Sequence, residues 1–478
     1  MSSSPFTVWT KLLGTSSSEY GYELTTGSDG SIYIAGYTDG DLDGQTNNGG
    51  WDTFISKYKI DGTKEWTRLL GTSSSEGGYA LTAGNDGSIY ISGYTEGNLD
   101  GQINNGGWDT FISKYKIDGT KEWTRLLGTS SNEYGTNLTT GNDGSIYISG
   151  YTDGDLDGQI NSGGEDAFIS KYKIDGTKEW TRLLGTSNSD IGYNLTKGSD
   201  KSIYISGYTN GNLDGQINSG GQDAFISKYK IDGTKEWTRL LGTSSSEYGT
   251  DLTTGNDGSI YISGYTEGNL DGQINSGSPD AFISKYKIDG TKEWMRLLGT
   301  DKWDISFGST IGSDGSLYIG GSTEGNLDGQ TNNGSTDAFI SKITALYNPS
   351  AINLIVSNFE ENINFGSVIA ALSSEDEDNY DAHTYSLVNG DGDTDNDFFE
   401  IDGNQLKISS SPDYEVKSTY SIRIKASDLG DLTFEKSFEL NVNNINLSTS
   451  SFDENIDSSS VVAILSTKDQ DTSDSHTY

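Results

Sequence analysis

Tryptophan recurs at Trp9, Trp66, Trp123, Trp180, Trp237 and Trp294, and every step is 57 residues. No other feature constrains the fold as strongly, because a unit repeated six times must bury its apolar surface against its own neighbours. The unit opens Trp66-Thr-Arg-Leu-Leu-Gly-Thr72 and passes through a Tyr/Gly-rich segment ending Leu81-Thr82. It continues with Gly87-Ser-Ile-Tyr-Ile-Ser-Gly-Tyr-Thr95, Leu99-Asp-Gly-Gln102 and Asp109-Thr-Phe-Ile-Ser-Lys-Tyr-Lys-Ile117. Four short apolar segments per unit, separated by Gly, Asn, Asp and Ser, read as four strands. Ile117-Asp-Gly-Thr-Lys121 lies between two such runs and reads as a hairpin turn. Runs such as Ile146-Tyr147-Ile148 are apolar on both faces, as a sheet sandwiched between neighbouring sheets requires. No segment of the array sustains helical periodicity. Six four-stranded units predict an all-β, six-bladed β-propeller over residues 1–348.

The array has unequal ends. The first unit opens at Trp9 without the Asp-Ala-Phe-Ile-Ser-Lys strand that precedes Trp elsewhere, and the last such strand, Asp337–Lys342, is followed by no Trp. This predicts that the final strand pairs with Phe6–Leu13 and closes the ring, removing both exposed edges. Over about residues 6 to 346 the repeated motifs resemble the bacterial β-propeller repeat known as SBBP. The resemblance implies an extracellular or surface protein with no catalytic residues.

Charge and composition narrow the function. With 70 acidic and 31 basic side chains the formal charge is −39, which leaves no basic face for nucleic acid and repels an anionic membrane. The absence of cysteine removes disulfides, thiolate zinc sites and cysteine nucleophiles. Histidine occurs only at His383 and His476, both in a His-Thr-Tyr strand slot that suits a structural role. Six similar units place the same carboxylates around an axis, whereas catalysis needs one asymmetric constellation. We therefore expect no enzyme. The N-terminus, Met1-Ser-Ser-Ser-Pro-Phe-Thr-Val-Trp9, has no basic segment or apolar core of a leader. Export is expected to proceed without a classical N-terminal signal peptide.

A second module starts near residue 350. Residues 350–478 hold 25 acidic and 6 basic side chains, so their charge density is more than twice that of the preceding 349 residues. Clustered carboxylates suit hard cations held through oxygen. Alternating strands around Ser367–Leu372, Tyr420–Lys425 and Phe438–Val442 predict a β-sandwich. Residues 351–446 resemble a cadherin repeat, which is a Greek-key sandwich, and the domain is drawn over 349–446. The resemblance implies Ca2+ held by Glu361, by the Asp376/Asp378 pair, by the Asp413/Glu415 pair, by Asp428 and by the linker residues Asn444 and Asn446. A second copy begins at Phe452-Asp-Glu-Asn455 and carries Asp469 and Asp471 in the Asp-x-Asp slot. Residues 447–478 read as its truncated start, too short for a core of its own and so poorly ordered unless it borrows an edge.

Two further features offer candidate ligand-binding groups. Asp39-Gly-Asp-Leu-Asp-Gly44 and Asp153-Gly-Asp-Leu-Asp-Gly158 begin like calcium loops, which offers Asp39, Asp41, Asp43, Asp153, Asp155 and Asp157 as ligands. Neither loop has the twelfth-position glutamate, and an Asx turn is the plainer account. Trp51 and Trp108, beside Tyr37 and Tyr94, offer rings on which sugars stack. The expectation is a non-enzymatic, calcium-binding, cell-surface or secreted protein in homophilic adhesion, with protein or glycan partners. The alternative is a carbohydrate-binding propeller on a calcium-stiffened spacer.

Overall fold

A computed structural model describes residues 9–277, 279–313, 315–343, 349–355, 358–376, 383–428, 432–447 and 465–467, the last three and 445–447 without their side chains. The chain forms two compact units, Met1–Ile343 and Thr344–Tyr478.

In the first unit each repeat folds into one antiparallel sheet. Blade one consists of β1 (Glu19–Thr26), β2 (Ile32–Thr38), β3 (Asp52–Tyr58) and β4 (Lys64–Leu70), in that spatial order. Four more four-stranded sheets repeat it, and a sixth holds three strands, Asp304–Ile311, Leu317–Thr323 and Asp337–Ile343. The first strand of each blade packs on the first strand of the next, so first strands line the axis and the Trp strands lie outermost. The 57-residue unit counted from Trp is therefore out of phase with the blade. The Ile117–Lys121 segment does form the hairpin turn, with Gly119 at φ 83° and Thr120 N donating to Asp118 Oδ1 at 2.9 Å.

Blades are fastened at their rims by the repeated Trp. Trp66 Nε1 donates to Ile117 O of the next blade at 3.1 Å, while Arg68 lies 5.3 Å over the Trp66 ring and donates to Gly119 O. Trp123, Trp180 and Trp237 repeat the bond to Ile174, Ile231 and Ile288. Between blades, leucines such as Leu138 and isoleucines such as Ile112 are buried.

Ring closure differs from the sequence expectation. Asp337–Ile343 pairs with Leu317–Thr323 alone among the described residues, and residues 9–13 belong to no strand. Trp9 Nε1 nevertheless donates to Ile60 O at 3.1 Å, the rim contact that Trp66, Trp123, Trp180 and Trp237 make with the blade after each. Leu24 on blade one is 62% exposed where its repeat-mate Leu138 is 5%, and Ile340 on blade six is 77% exposed where Ile112 is 2%. The rim bond survives, whereas among the described residues the face-to-face packing of the first and last blades is missing. Residues 6–8 of the expected pairing partner lie outside the described residues.

The second unit has two four-stranded sheets around one core. One sheet contains Ala351–Leu354, Val368–Glu375, Gln405–Ile408 and Phe399–Asp402, and the other Asn358–Glu360, Thr433–Asn443, Thr419–Ser427 and Thr384–Leu387. Phe359, Phe399 and Tyr420 meet in its centre, with Ile352, Leu406 and Ile422 wholly buried. Of residues 447–478, Leu465–Thr467 pairs antiparallel with Ile445–Leu447. No helix among the described residues is long and apolar enough to cross a membrane.

Candidate functional site

In the second unit, strand pairing gathers carboxylates that are far apart in sequence. Asn358–Glu360 runs parallel to Asn441–Asn443, which sets Glu361 beside the end of the long Thr433–Asn443 strand, and Glu361 N donates to Asn443 O at 3.1 Å. Asn362 N donates to Pro412 O and Tyr414 N to Glu361 Oε2, tying the Asp413–Glu415 turn to the same place. Carboxylate oxygens of Glu361, Asp413 and Glu415 lie within 4.8 Å of one another, with Glu361 buried and the other two exposed. Asn444 Nδ2 donates to Glu415 Oε1 at 2.8 Å and so joins the group. An all-oxygen set with three negative charges fits a hard divalent cation.

The remaining expected ligands divide otherwise. The strand Thr419–Ser427 separates this cluster from Asp428, whose Oδ1 accepts from Leu432 N at 2.9 Å, and from Asp376, which bonds His383 Nε2 at 3.0 Å. Those two belong to the opposite end, so one sandwich carries two half-sets rather than one site. Asp378, Asp469 and Asp471 lie outside the described residues, as does the Asn446 side chain.

The propeller axis carries a second constellation, one the sequence reading missed. Tyr22, Tyr79, Tyr193 and Phe307 occupy one position of the axial strand in blades one, two, four and six. Together with Tyr134, Tyr151 and Tyr265 they line a cavity of about 620 Å³. The rings touch in chains: Tyr22 meets Tyr79 edge-on at 5.0 Å, and Tyr134 stacks on Tyr151 at 4.7 Å. Trp51 packs edge-on against Tyr37 at 5.0 Å and Trp108 against Tyr134 at 4.6 Å, so both tryptophans are built into this belt. Burial holds the Tyr134 and Tyr265 phenols up to about 12, keeping them neutral. Glu23 lines the same cavity, and burial followed by the charge of Asp251 raises its carboxyl. Asp251 accepts from Asn194 Nδ2 at 2.6 Å and from Ser309 N and Oγ, all neutral donors on neighbouring blades, and burial lifts it to about 6.

Buried acids also pair at each blade interface. Asp52, Asp109, Asp166, Asp223 and Asp280 start the third strands, and each keeps one buried oxygen without a hydrogen-bond partner. Near enough to raise them by charge are Glu76, Glu133, Asp190, Glu247 and Asp304 of the next blade. Glu133 is well supplied, accepting from Thr129 N, Thr129 Oγ1 and Thr152 Oγ1 at 2.6 to 2.7 Å.

The β-propeller repeat model SBBP matches residues 8–43, 122–157 and 179–214. Three stretches of the chain are thus similar to this repeat. Over 439 residues it is 25% identical to "Regulatory protein FlaEY" of Caulobacter vibrioides, covering 81% of this chain and 43% of that protein. It is also 21% identical to "Uncharacterized WD repeat-containing protein L264" of Acanthamoeba polyphaga mimivirus, covering 66% of this chain and 31% of that one. The chain thus spans less than half the length of these curated relatives. Among solved structures, the Neurospora crassa Pan2 WD40 domain aligns with 63% of this chain and 86% of its own, at 8% identity and a TM-score of 0.37.

Within these repeats the Asp-Gly-Asp-Leu-Asp-Gly loops form hydrogen-bonded turns, in keeping with the plainer account of their aspartates. Asp39 Oδ1 accepts from Ser18 N at 2.7 Å, Asp41 Oδ1 from Asn47 N at 2.8 Å, and Asp43 binds Lys64 Nζ and Thr67 Oγ1. Asp155 and Asp157 repeat this with Asn161 N, Lys178 and Thr181, and Asp153 accepts from Asn132 Nδ2. In blade two Asn98 replaces Asp41 and accepts the same backbone bond at 2.9 Å, so the position asks for an acceptor oxygen and not for charge. Asp43 and Asp157 themselves adopt φ near 53°, the left-handed conformation that Asp and Asn tolerate best after Gly. Among the described residues, only Glu361, Asp413 and Glu415 gather as a three-carboxylate group.

Proposed function

We propose that this propeller protein is a non-enzymatic, calcium-binding protein of the cell surface or the secreted space, acting in adhesion through its second unit. The observation that carries the reading is the convergence of Glu361, Asp413 and Glu415, with Asn444 beside them, at one end of a two-sheet sandwich. The cadherin-like spacing of these residues supports it, as does the second half-set of Asp376 and Asp428 at the other end. Tandem modules built this way share one ion between the lower end of one and the upper end of the next. Glu361, Asp413 and Glu415 would hold the Ca2+, whose charge offsets their mutual repulsion and stiffens the junction. Adhesion, in this reading, occurs between copies of the protein or toward a surface glycan.

Calorimetric titration of the full chain with CaCl2 tests the first step. Saturable binding is expected, with affinity falling at least tenfold in Glu361→Gln and in Asp413→Asn while Asp41→Asn is unchanged. Binding that ignores the first two substitutions overturns the site. Beads coated with the protein should cluster in Ca2+ and disperse in EDTA. Clustering indifferent to Ca2+ removes adhesion from the reading without removing the metal site.

A further inference from the structure

We propose that the axial cavity of the propeller binds an organic cation of the quaternary ammonium class. Its walls are aromatic and its only charges are negative. Tyr22, Tyr79 and Tyr193 reach it from the axial strands, Tyr151 and Tyr265 from the strands behind, and Glu23 supplies a carboxylate. No Lys, Arg or His is among its lining residues. Asp251, close enough to Glu23 to raise it, accepts from Asn194 and Ser309, neutral donors that cancel none of its charge. A concave set of ring faces with an uncompensated acid attracts a weakly hydrated cation through the ring quadrupoles. An ammonium that keeps its water gains less, because desolvation opposes entry.

The ring geometry favours this ligand over a sugar. Sugar stacking uses a flat open face with polar groups in the plane around it. Here neighbouring rings meet at angles up to 84°, so they form a cup and not a platform. Trp51 and Trp108 present edges to Tyr37 and Tyr134, and Trp108 Nε1 is bonded to Glu96 Oε1. Burial keeps the Tyr134 and Tyr265 phenols neutral through the physiological range, so their rings keep their role as cation acceptors.

Choline is the probe, titrated against the full chain by calorimetry and by intrinsic fluorescence. Its uncharged isostere 3,3-dimethylbutanol is the matched control, and a neutral oligosaccharide mixture is the competitor. Choline should bind saturably and about tenfold or more tighter than the isostere. Tyr79→Phe should retain binding, since the ring face is kept, while Tyr79→Leu and Glu23→Gln should each weaken it several-fold. Glu23 sits on the open first blade, so its variant is expected to fold normally, and unchanged near-ultraviolet dichroism checks this. Equal binding of choline and the isostere, loss of binding in Tyr79→Phe, or no saturable choline signal overturns the proposal. Binding of the oligosaccharides in place of choline overturns it in favour of a glycan site. None of these outcomes bears on the calcium cluster, which lies in the other unit.

Discussion

Replacing Asp109 by Asn should stabilise the propeller at neutral and alkaline pH. Asp109 is wholly buried between blades two and three, and a Cβ on Gly128 would overlap its carboxylate. One oxygen accepts from Asn105 N at 3.1 Å and the other has no partner, while Glu133 faces it from blade three. Burial first, and the charge of Glu133 after it, push its carboxyl up from 3.8 to about 6. The folded state therefore holds the proton more tightly than the unfolded chain. The contribution of this group to stability is complete below about pH 4, falls as pH rises through about 6, and is a full penalty above that. Two pKa units are worth about 3 kcal/mol at 1.36 kcal/mol per unit. Asparagine carries no charge at any pH and its amide supplies a donor toward Glu133, so Asp109→Asn should recover roughly 1 to 3 kcal/mol at pH 8 and nearly nothing at pH 4. With an unfolding entropy of about 2.1 cal/mol/K per residue, a unit of this size gains roughly 1 to 4 °C in Tm. Differential scanning calorimetry of both proteins from pH 4 to 8 measures the difference. A variant that melts at or below the wild type at pH 8, or a gap that does not shrink toward pH 4, refutes the reasoning. Asp52, Asp166, Asp223 and Asp280 are held up to about 6 by the same environment, so each should repeat the effect.

Three further outcomes are expected. Leu138→Ala should cost about 3 kcal/mol in urea unfolding, whereas Leu24→Ala, at the same repeat position but largely exposed, should cost well under 1 kcal/mol; equal costs would show that blade six covers blade one in solution. Trp123→Ala removes the Ile174 bond and the stacked Arg125, and should destabilise by about 2 to 4 kcal/mol, read from the same midpoint shift. Asp157→Ala should lose about 1 kcal/mol through its left-handed turn and its Lys178 and Thr181 bonds, while Asp157→Asn loses less, and added Ca2+ should rescue neither in a thermal melt.

Much of the architecture is written in the period. Strand-forming runs such as Ile146-Tyr147-Ile148 and turn residues such as Gly119 recur every 57 residues, and a strand or a tight turn is decided by neighbours within a few positions. The carboxylate cluster of the second unit was legible for a different reason, since Glu361, Asp413 and Glu415 stand in spacings that a known module reuses. Their separation from Asp376 and Asp428 was not, because which end of a sandwich a loop occupies depends on strand direction and pairing.

The axial site shows where sequence reading stops. Glu23, Ala80, Asn137, Asn194, Asp251 and Gly308 occupy one repeat position, and as a column they look like tolerated surface variation. Only the knowledge that the first strand is innermost gathers that column around the axis, where Glu23 lines the cavity and senses the charge of Asp251. The same holds for Asp109, which reads as the polar start of a strand and is in fact sealed between blades. Sequence by itself determined the repeat, its four strands, its rim tryptophans and the acidic spacing of the second unit, because these follow from local conformational preference and short-range chemistry. Tertiary structure alone decided which residues meet at the axis, which carboxylates lose water, and whether the first and last blades cover each other, because burial and electrostatic coupling depend on distances between residues that the chain keeps dozens to hundreds of positions apart.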